Sequence, residues 1–250
     1  MDFDRHCAEI VTQTELLAAA TAGADLRAPV PSCPDWTLGM LLRHIGGGQR
    51  WAEELVRTRT EGAFDADELR KLDGDDSGEA PVEWLLEGAR LLSETLRKAG
   101  PDQEVWAPFD YSTPTFWARR FTNETLVHRA DATLAVGTAF TVDEPVAIDA
   151  IDEWMELDAH PVHFELNPRK RELLGAGRTL AFEAADAGVS WFLDLTGEVI
   201  RWRRGAGEAA VTVRAPLADL LLVIYQRKPA VDVRGDASLL DFWLKHVAFG

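Results

Sequence analysis

The chain has 250 residues, 46% of them hydrophobic, and its 42 acidic against 26 basic residues give a formal net charge of -16. That length and apolar content predict two modest domains with cores of their own. The negative charge repels phosphate backbones and anionic lipid heads, which argues against nucleic acid and membrane partners, and the absence of a leader-like start or an apolar run of about 18 residues predicts a soluble, cytoplasmic protein.

Phe3, Cys7, Ile10, Thr14 and Leu17 recur at helical spacing and predict a first amphipathic helix that ends before Ala22. A Pro-rich turn from Pro29 to Pro34 follows. Thr37 reads as the N-cap of a second helix whose buried side is marked by Leu38, Leu41, Leu42, Ile45 and Leu55, with His44 among them. Residues 62–80 form a long acidic connection, with at most a short helical piece from Asp65 to Leu72. Pro81, Trp84, Leu85, Ala89, Leu92 and Leu96 outline a third helix stopping at Gly100, and Thr113-Pro114 opens a fourth that runs to Val136 with Gly137 as its stop. Four helices so joined predict an up-and-down bundle.

Past Thr141 the texture changes. The segment TVDE reads as a capping box before a helix from Pro145 to Leu157, and β-type runs follow at Thr179–Ala184, Ser190–Leu195, Val199–Arg203 and Ala209–Val213. Pro216 to Gln226 is too long and apolar for a strand and predicts a buried helix, with a last helix at Ser238–Val247. The predicted class is α+β. Residues 1–158 make a helical bundle, and residues 159–250 make a small α+β domain with an antiparallel sheet.

Glu124 and His128 stand one turn apart on one face of the fourth helix, where they are either a chelating pair or a salt bridge. His44 on another helix would supply a third ligand, since bundles build metal sites from inward-facing residues of different helices. Two imidazoles and one carboxylate suit zinc or another divalent metal and leave a fourth position open. The run Gly46-Gly47-Gly48 costs a helix about 1 kcal/mol per residue relative to Ala. It signals either a closely packed neighbour or room for a ligand beside His44. Arg120, with Arg119 next to it, either pairs with a carboxylate or binds an anionic ligand. Asp131 either receives a hydrogen bond from His128 or pairs with Arg129.

Two cysteines are too few for a disulfide framework. Cys7 falls on an apolar stripe as a buried thiol, and Cys33 has no base near it in sequence. His160 and His163 are separated by Pro161, which spoils a shared helical face, so they read as linker residues. Nucleophile-elbow, Walker and Rossmann patterns are absent from the sequence.

The segments CPDWTLGMLLRHIGG (Cys33 to Gly47) and WARRFTNETLVHRADA (Trp117 to Ala132) resemble the N-terminal domain of the mycothiol-dependent maleylpyruvate isomerase family, a DinB-like four-helix bundle. The stretches PLADLLLVIYQR and VDVRGDASLLDFW resemble its second, sterol-carrier-like α+β domain. The resemblance implies zinc at His44, Glu124 and His128, and mycothiol as thiol cosubstrate beside Gly47, Gly48 and Arg120. It also implies a catalytic arginine in the second domain, matched to Arg227, with Arg234 as the second candidate; the Tyr-Gln before Arg227 departs from the family's Trp-x-Gly. In the family's founding reaction the thiol adds to a cis double bond, the new single bond rotates, and the thiol leaves to give the trans product. The expected partner is therefore an anionic or electrophilic small molecule, and the expected state is a monomer or small homo-oligomer. A metal-dependent hydrolase and a non-catalytic metal-containing binding protein are the rival readings.

Overall fold

The computed structural model describes residues 1–60, 82–108 and 111–247, so the expected helical piece at 65–72 lies outside the described residues. The chain divides into two compact units, Met1–Phe140 and Thr141–Gly250.

The first unit holds helices α1 (Phe3–Ala20), α2 (Leu38–Thr58), α3 (Val82–Ala99) and α4 (Pro114–Val136). Local chemistry sets their ends. Asp2 accepts the Arg5 amide at 2.8 Å to cap α1, and Thr37 accepts the Met40 amide at 3.3 Å to cap α2. Gly137, at φ 72°, closes α4 in the left-handed conformation that glycine reaches without strain. α1 and α2 each pack on both α3 and α4. One core cluster gathers Ile10, Leu55, Leu92 and Trp117, and another gathers Leu17, Leu38, Leu41, Ile45 and Leu85. Buried Gln49 links three helices, donating to Thr14 Oγ1 at 2.9 Å and to Thr125 Oγ1 at 3.3 Å. A Cβ at Gly46 would lie 2.2 Å from the Trp84 ring, so this glycine marks the close approach of α2 and α3.

The second unit opens with α5 (Glu144–Ala159), a short α6 (Val162–Leu166) and a 3-10 turn at Pro168–Leu173. Strands β1 (Thr179–Ala184), β2 (Ser190–Asp194), β3 (Arg201–Arg204) and β4 (Val211–Ala215) follow, then α7 (Leu217–Ile224), β5 (Asp232–Gly235) and α8 (Ala237–His246). The sheet order is β3-β2-β1-β4-β5. Its pairs are antiparallel except at the centre, where β1 and β4 run parallel. The departure from an all-antiparallel sheet arises because β4 enters beside β1 after the β2–β3 hairpin. β5 has only four residues and no clear alternation, which hid it in the sequence. Its last residue must be glycine: φ at Gly235 is 90°, and a Cβ there would sit 2.1 Å from the Ala210 carbonyl oxygen.

The division between the units precedes α5, whereas the sequence reading ended the first domain at 158. The reason is packing, since α5 contacts α7 and β3. α5 starts at Glu144 with Asp143, not Thr141, in the N-cap position and no capping bond from the Asp143 side chain. His160 caps the end of α5 while His163 lies in α6, so the two share no helix. No described helix is long and apolar enough to cross a membrane.

Candidate metal centre

α2 and α4 bring three donors together within the first unit. His44 Nε2 and His128 Nε2 each lie 3.2 Å from Glu124 Oε1, and the three ligand atoms are all within 4.8 Å of one another. A tetrahedral zinc with bonds of about 2.0–2.1 Å separates its ligand atoms by about 3.3 Å, so the donor set and its spacing both fit a divalent metal. The imidazole rings stand 5.0 Å apart at 78°.

Proton placement points the same way. His128 Nδ1 lies 2.9 Å from Asp131 Oδ2, and the fully buried Asp131 also accepts the Ser32 hydroxyl at 2.5 Å. A carboxylate only accepts, so Nδ1 carries its proton there, and a neutral His128 turns the Nε2 lone pair towards the Glu124 oxygen. Two acceptors in contact need a proton or a cation between them. Burial pulls the His128 pKa down, but its contacts with Asp131, Cys33 and Glu124 outweigh that and hold it well above the ordinary 6.5. Burial likewise pushes the Glu124 carboxyl up, but hydrogen bonds from His128 and His44, together with the charges of His128 and Arg120, keep it well below the ordinary 4.5. The cluster thus holds its carboxylate ionised.

Arg120, one turn before Glu124, donates from Nη2 to Glu124 Oε2 at 3.1 Å. It also lines a cavity of about 390 Å³ beside the cluster, together with His44, Glu124, Gly47, Gly48 and the rings of Trp51, Trp117 and Phe121. The glycine run therefore serves both purposes read from it: Gly46 admits Trp84, while Gly47 and Gly48 border the cavity. Asp131 engages His128, whereas Arg129 donates from Nε to Gln13 at 3.0 Å and lies 4.6 Å over the Phe140 ring.

Sequence reasoning gave Ser32 and Trp36 no part in the site, although it placed the loop before α2. An isolated bridge between Pro29 and Thr37 closes it, and it places Trp36 edge-on to His44 at 4.9 Å and stacked on His128 at 6.0 Å. The same loop carries Ser32 and sets the Cys33 sulfur 3.6 Å from Asp131 Oδ2, so the thiol that lacked a neighbour in sequence gains one in space. The only signal was the CPDWT motif itself. Arg227 and Arg234 belong to the second unit: Arg227 donates to the Tyr225 carbonyl at 2.7 Å, and Arg234 on β5 pairs with Asp232 at 3.2 Å.

No curated protein sequence matches the chain. Two crystal structures, of the mycothiol-dependent maleylpyruvate isomerase and of its histidine-to-alanine variant, share the fold. The first is 13% identical with a TM-score of 0.63 and the second 12% identical with a TM-score of 0.64, and each match covers 95% of both chains. The family model described as the mycothiol maleylpyruvate isomerase N-terminal domain matches residues 7–133. That span exceeds half the chain and includes His44, Glu124 and His128, so the chain belongs to the mycothiol maleylpyruvate isomerase N-terminal domain family.

Proposed function

We propose that this chain is a zinc-dependent enzyme that uses mycothiol, activating the thiol for addition to an electrophilic small molecule in a cis-trans isomerisation or an S-transfer. The observation that carries the reading is the convergence of two imidazole nitrogens on one carboxylate oxygen, each at 3.2 Å. Zinc held by His44, Glu124 and His128 would supply a Lewis acid that keeps a sulfur ligand deprotonated near neutral pH.

The chain's own residues perform the rest. Asp131 fixes the His128 tautomer, so that Nε2 is the free ligand atom, and Trp36 packs against both imidazoles to restrict their rotation. Arg120 holds the second oxygen of Glu124 and leaves the first facing the histidines. The cavity beside them receives the small molecule, with Gly47 and Gly48 giving the backbone of α2 a low profile there. Arg227 is the proposed catalytic arginine, whose cationic head would neutralise a carboxylate or enolate during addition. Such an enzyme would work in the cytoplasm, on an anionic or electrophilic substrate.

The test begins with metal content. Purified wild type is expected to hold one zinc per chain, and Glu124→Ala to lose most of it. Zinc-loaded wild type with mycothiol and a panel of electrophiles should yield thiol adducts or cis-to-trans conversion. Equal metal content in the two proteins, or no thiol chemistry with any electrophile, overturns the proposal.

A further inference from the structure

We propose that the substrate of this site has a planar, apolar body with an anionic group at one end. The inference rests on the reading of the centre as a thiol-activating one and adds the class of molecule it serves.

The cavity has two chemically distinct parts. Its polar residues are contiguous through Glu124, which contacts both His44 and Arg120 at 3.2 and 3.1 Å. Its aromatic residues are contiguous through their rings: Trp51 meets Trp117 edge-on at 5.1 Å, and Trp117 meets Phe121 at 6.2 Å. Trp117 offers this wall no hydrogen bond, because its indole N–H donates to the Trp106 carbonyl at 2.8 Å. Among the described lining residues Arg120 is the sole lysine or arginine. One carboxylate can therefore lie at the polar end, within reach of a guanidinium and the metal position. The rest of the wall is aromatic and carries no cation among the described lining residues, so it suits an apolar body better than a second charge. An aryl or extended alkenyl body gains from the same wall by stacking and by leaving water.

Size agrees. About 390 Å³ is near the lower end of the range for small-molecule sites, enough for a single-ring molecule. Gly48 sets one limit of that space, since a Cβ there would come within 3.2 Å of the Phe121 ring edge. Gly48 and Phe121 thus act together as a selector of ligand width.

The experiment measures binding, so it reads the cavity separately from thiol chemistry. Trans-cinnamate, cinnamamide and maleate are titrated into zinc-loaded protein, followed by quenching of tryptophan fluorescence and by calorimetry. Cinnamate is expected to bind at least tenfold more tightly than maleate. Gly48→Val should weaken cinnamate at least tenfold with metal content unchanged, and where that variant does not fold, Trp51→Ala should produce the same loss. Arg120→Gln should erase the preference for cinnamate over cinnamamide. Maleate binding as tightly as cinnamate, no binding by any of the three, or unchanged cinnamate affinity in the cavity variants overturns the inference. Those results leave the thiol-activating reading intact if mycothiol adducts still form. Conversely, loss of metal and of all thiol chemistry with cinnamate still bound would sink that reading and spare the cavity's selectivity.

Discussion

Replacing Asp131 by asparagine keeps the shape of a fully buried side chain and removes only its charge. In the wild type the carboxylate accepts from His128 Nδ1 at 2.9 Å and from Ser32 Oγ at 2.5 Å. A hydrogen bond to a charged group contributes about 1.5–3 kcal/mol and a neutral one about 1 kcal/mol, so an asparagine whose oxygen still faces His128 forfeits about 0.5–2 kcal/mol. At about 1.4 kcal/mol per decade this predicts zinc binding weakened about tenfold, at the low end of what outer partners of ligating histidines generally contribute. Asp131→Ala goes further, because it takes the acceptor away from the imidazole N–H and the serine hydroxyl, both partly buried, and about a hundredfold loss is expected. Ser32→Ala is the control. It removes one partner of the carboxylate but leaves the His128 contact, so its effect on zinc should be the smallest of the three. Competition against a chromophoric zinc chelator near neutral pH measures all of them, with urea unfolding to separate metal loss from loss of fold. An asparagine variant that folds normally and binds zinc as tightly as wild type would refute the argument that the charge of Asp131 strengthens His128 as a ligand, and an alanine variant that did so would refute the argument that Asp131 fixes the His128 tautomer.

The elevated His128 pKa predicts that zinc uptake by the metal-free protein near neutral pH releases a proton from this ring, so apparent affinity should rise with pH; calorimetry in buffers of different ionisation enthalpy would detect that proton. Gly46→Ala gains about 1 kcal/mol of helix propensity but drives a Cβ to 2.2 Å from a Trp84 ring held under Arg50 at 4.1 Å. Overpacking of this kind costs about 1–3 kcal/mol, so a net loss is expected, read as a lower urea midpoint with an unchanged slope. In the second unit, burial first and then the charges of Lys170 and His160 push His163 from 6.5 down to about 4. A histidine held neutral in the folded state adds no pH dependence above the unfolded value of 6.5, and stability is lost as pH falls from there towards about 4. Allowing for its partial exposure the loss is about 1–2 kcal/mol, and His163→Gln should flatten that part of the melting curve against pH.

What the sequence disclosed follows the range of the forces involved. Helix spacing and caps act over a few residues, so Thr37 before α2 and Gly137 after α4 could be read directly, as could Glu124 and His128 as one face of one helix. His44 lies 80 positions from Glu124, and the spacing rules of a single helix say nothing at that distance; the way bundles build metal sites from different helices made it a candidate, and the family resemblance implied the same set. The same limit explains β5 and the parallel pairing of β1 with β4, both of which depend on partners far along the chain. It also explains the choices that stayed open. Asp131 had neighbours of both kinds within one turn, and only the fold shows it turned to His128 and Ser32. The three glycines looked alike in sequence, yet their places on α2 differ by about 100° per residue, so Gly46 meets Trp84 while Gly48 meets Phe121 at the cavity. One continuous run thus combines helix packing and cavity shape, and the two are separable by substitution. A side chain at 46 should be felt in stability, one at 48 in which ligand the cavity admits.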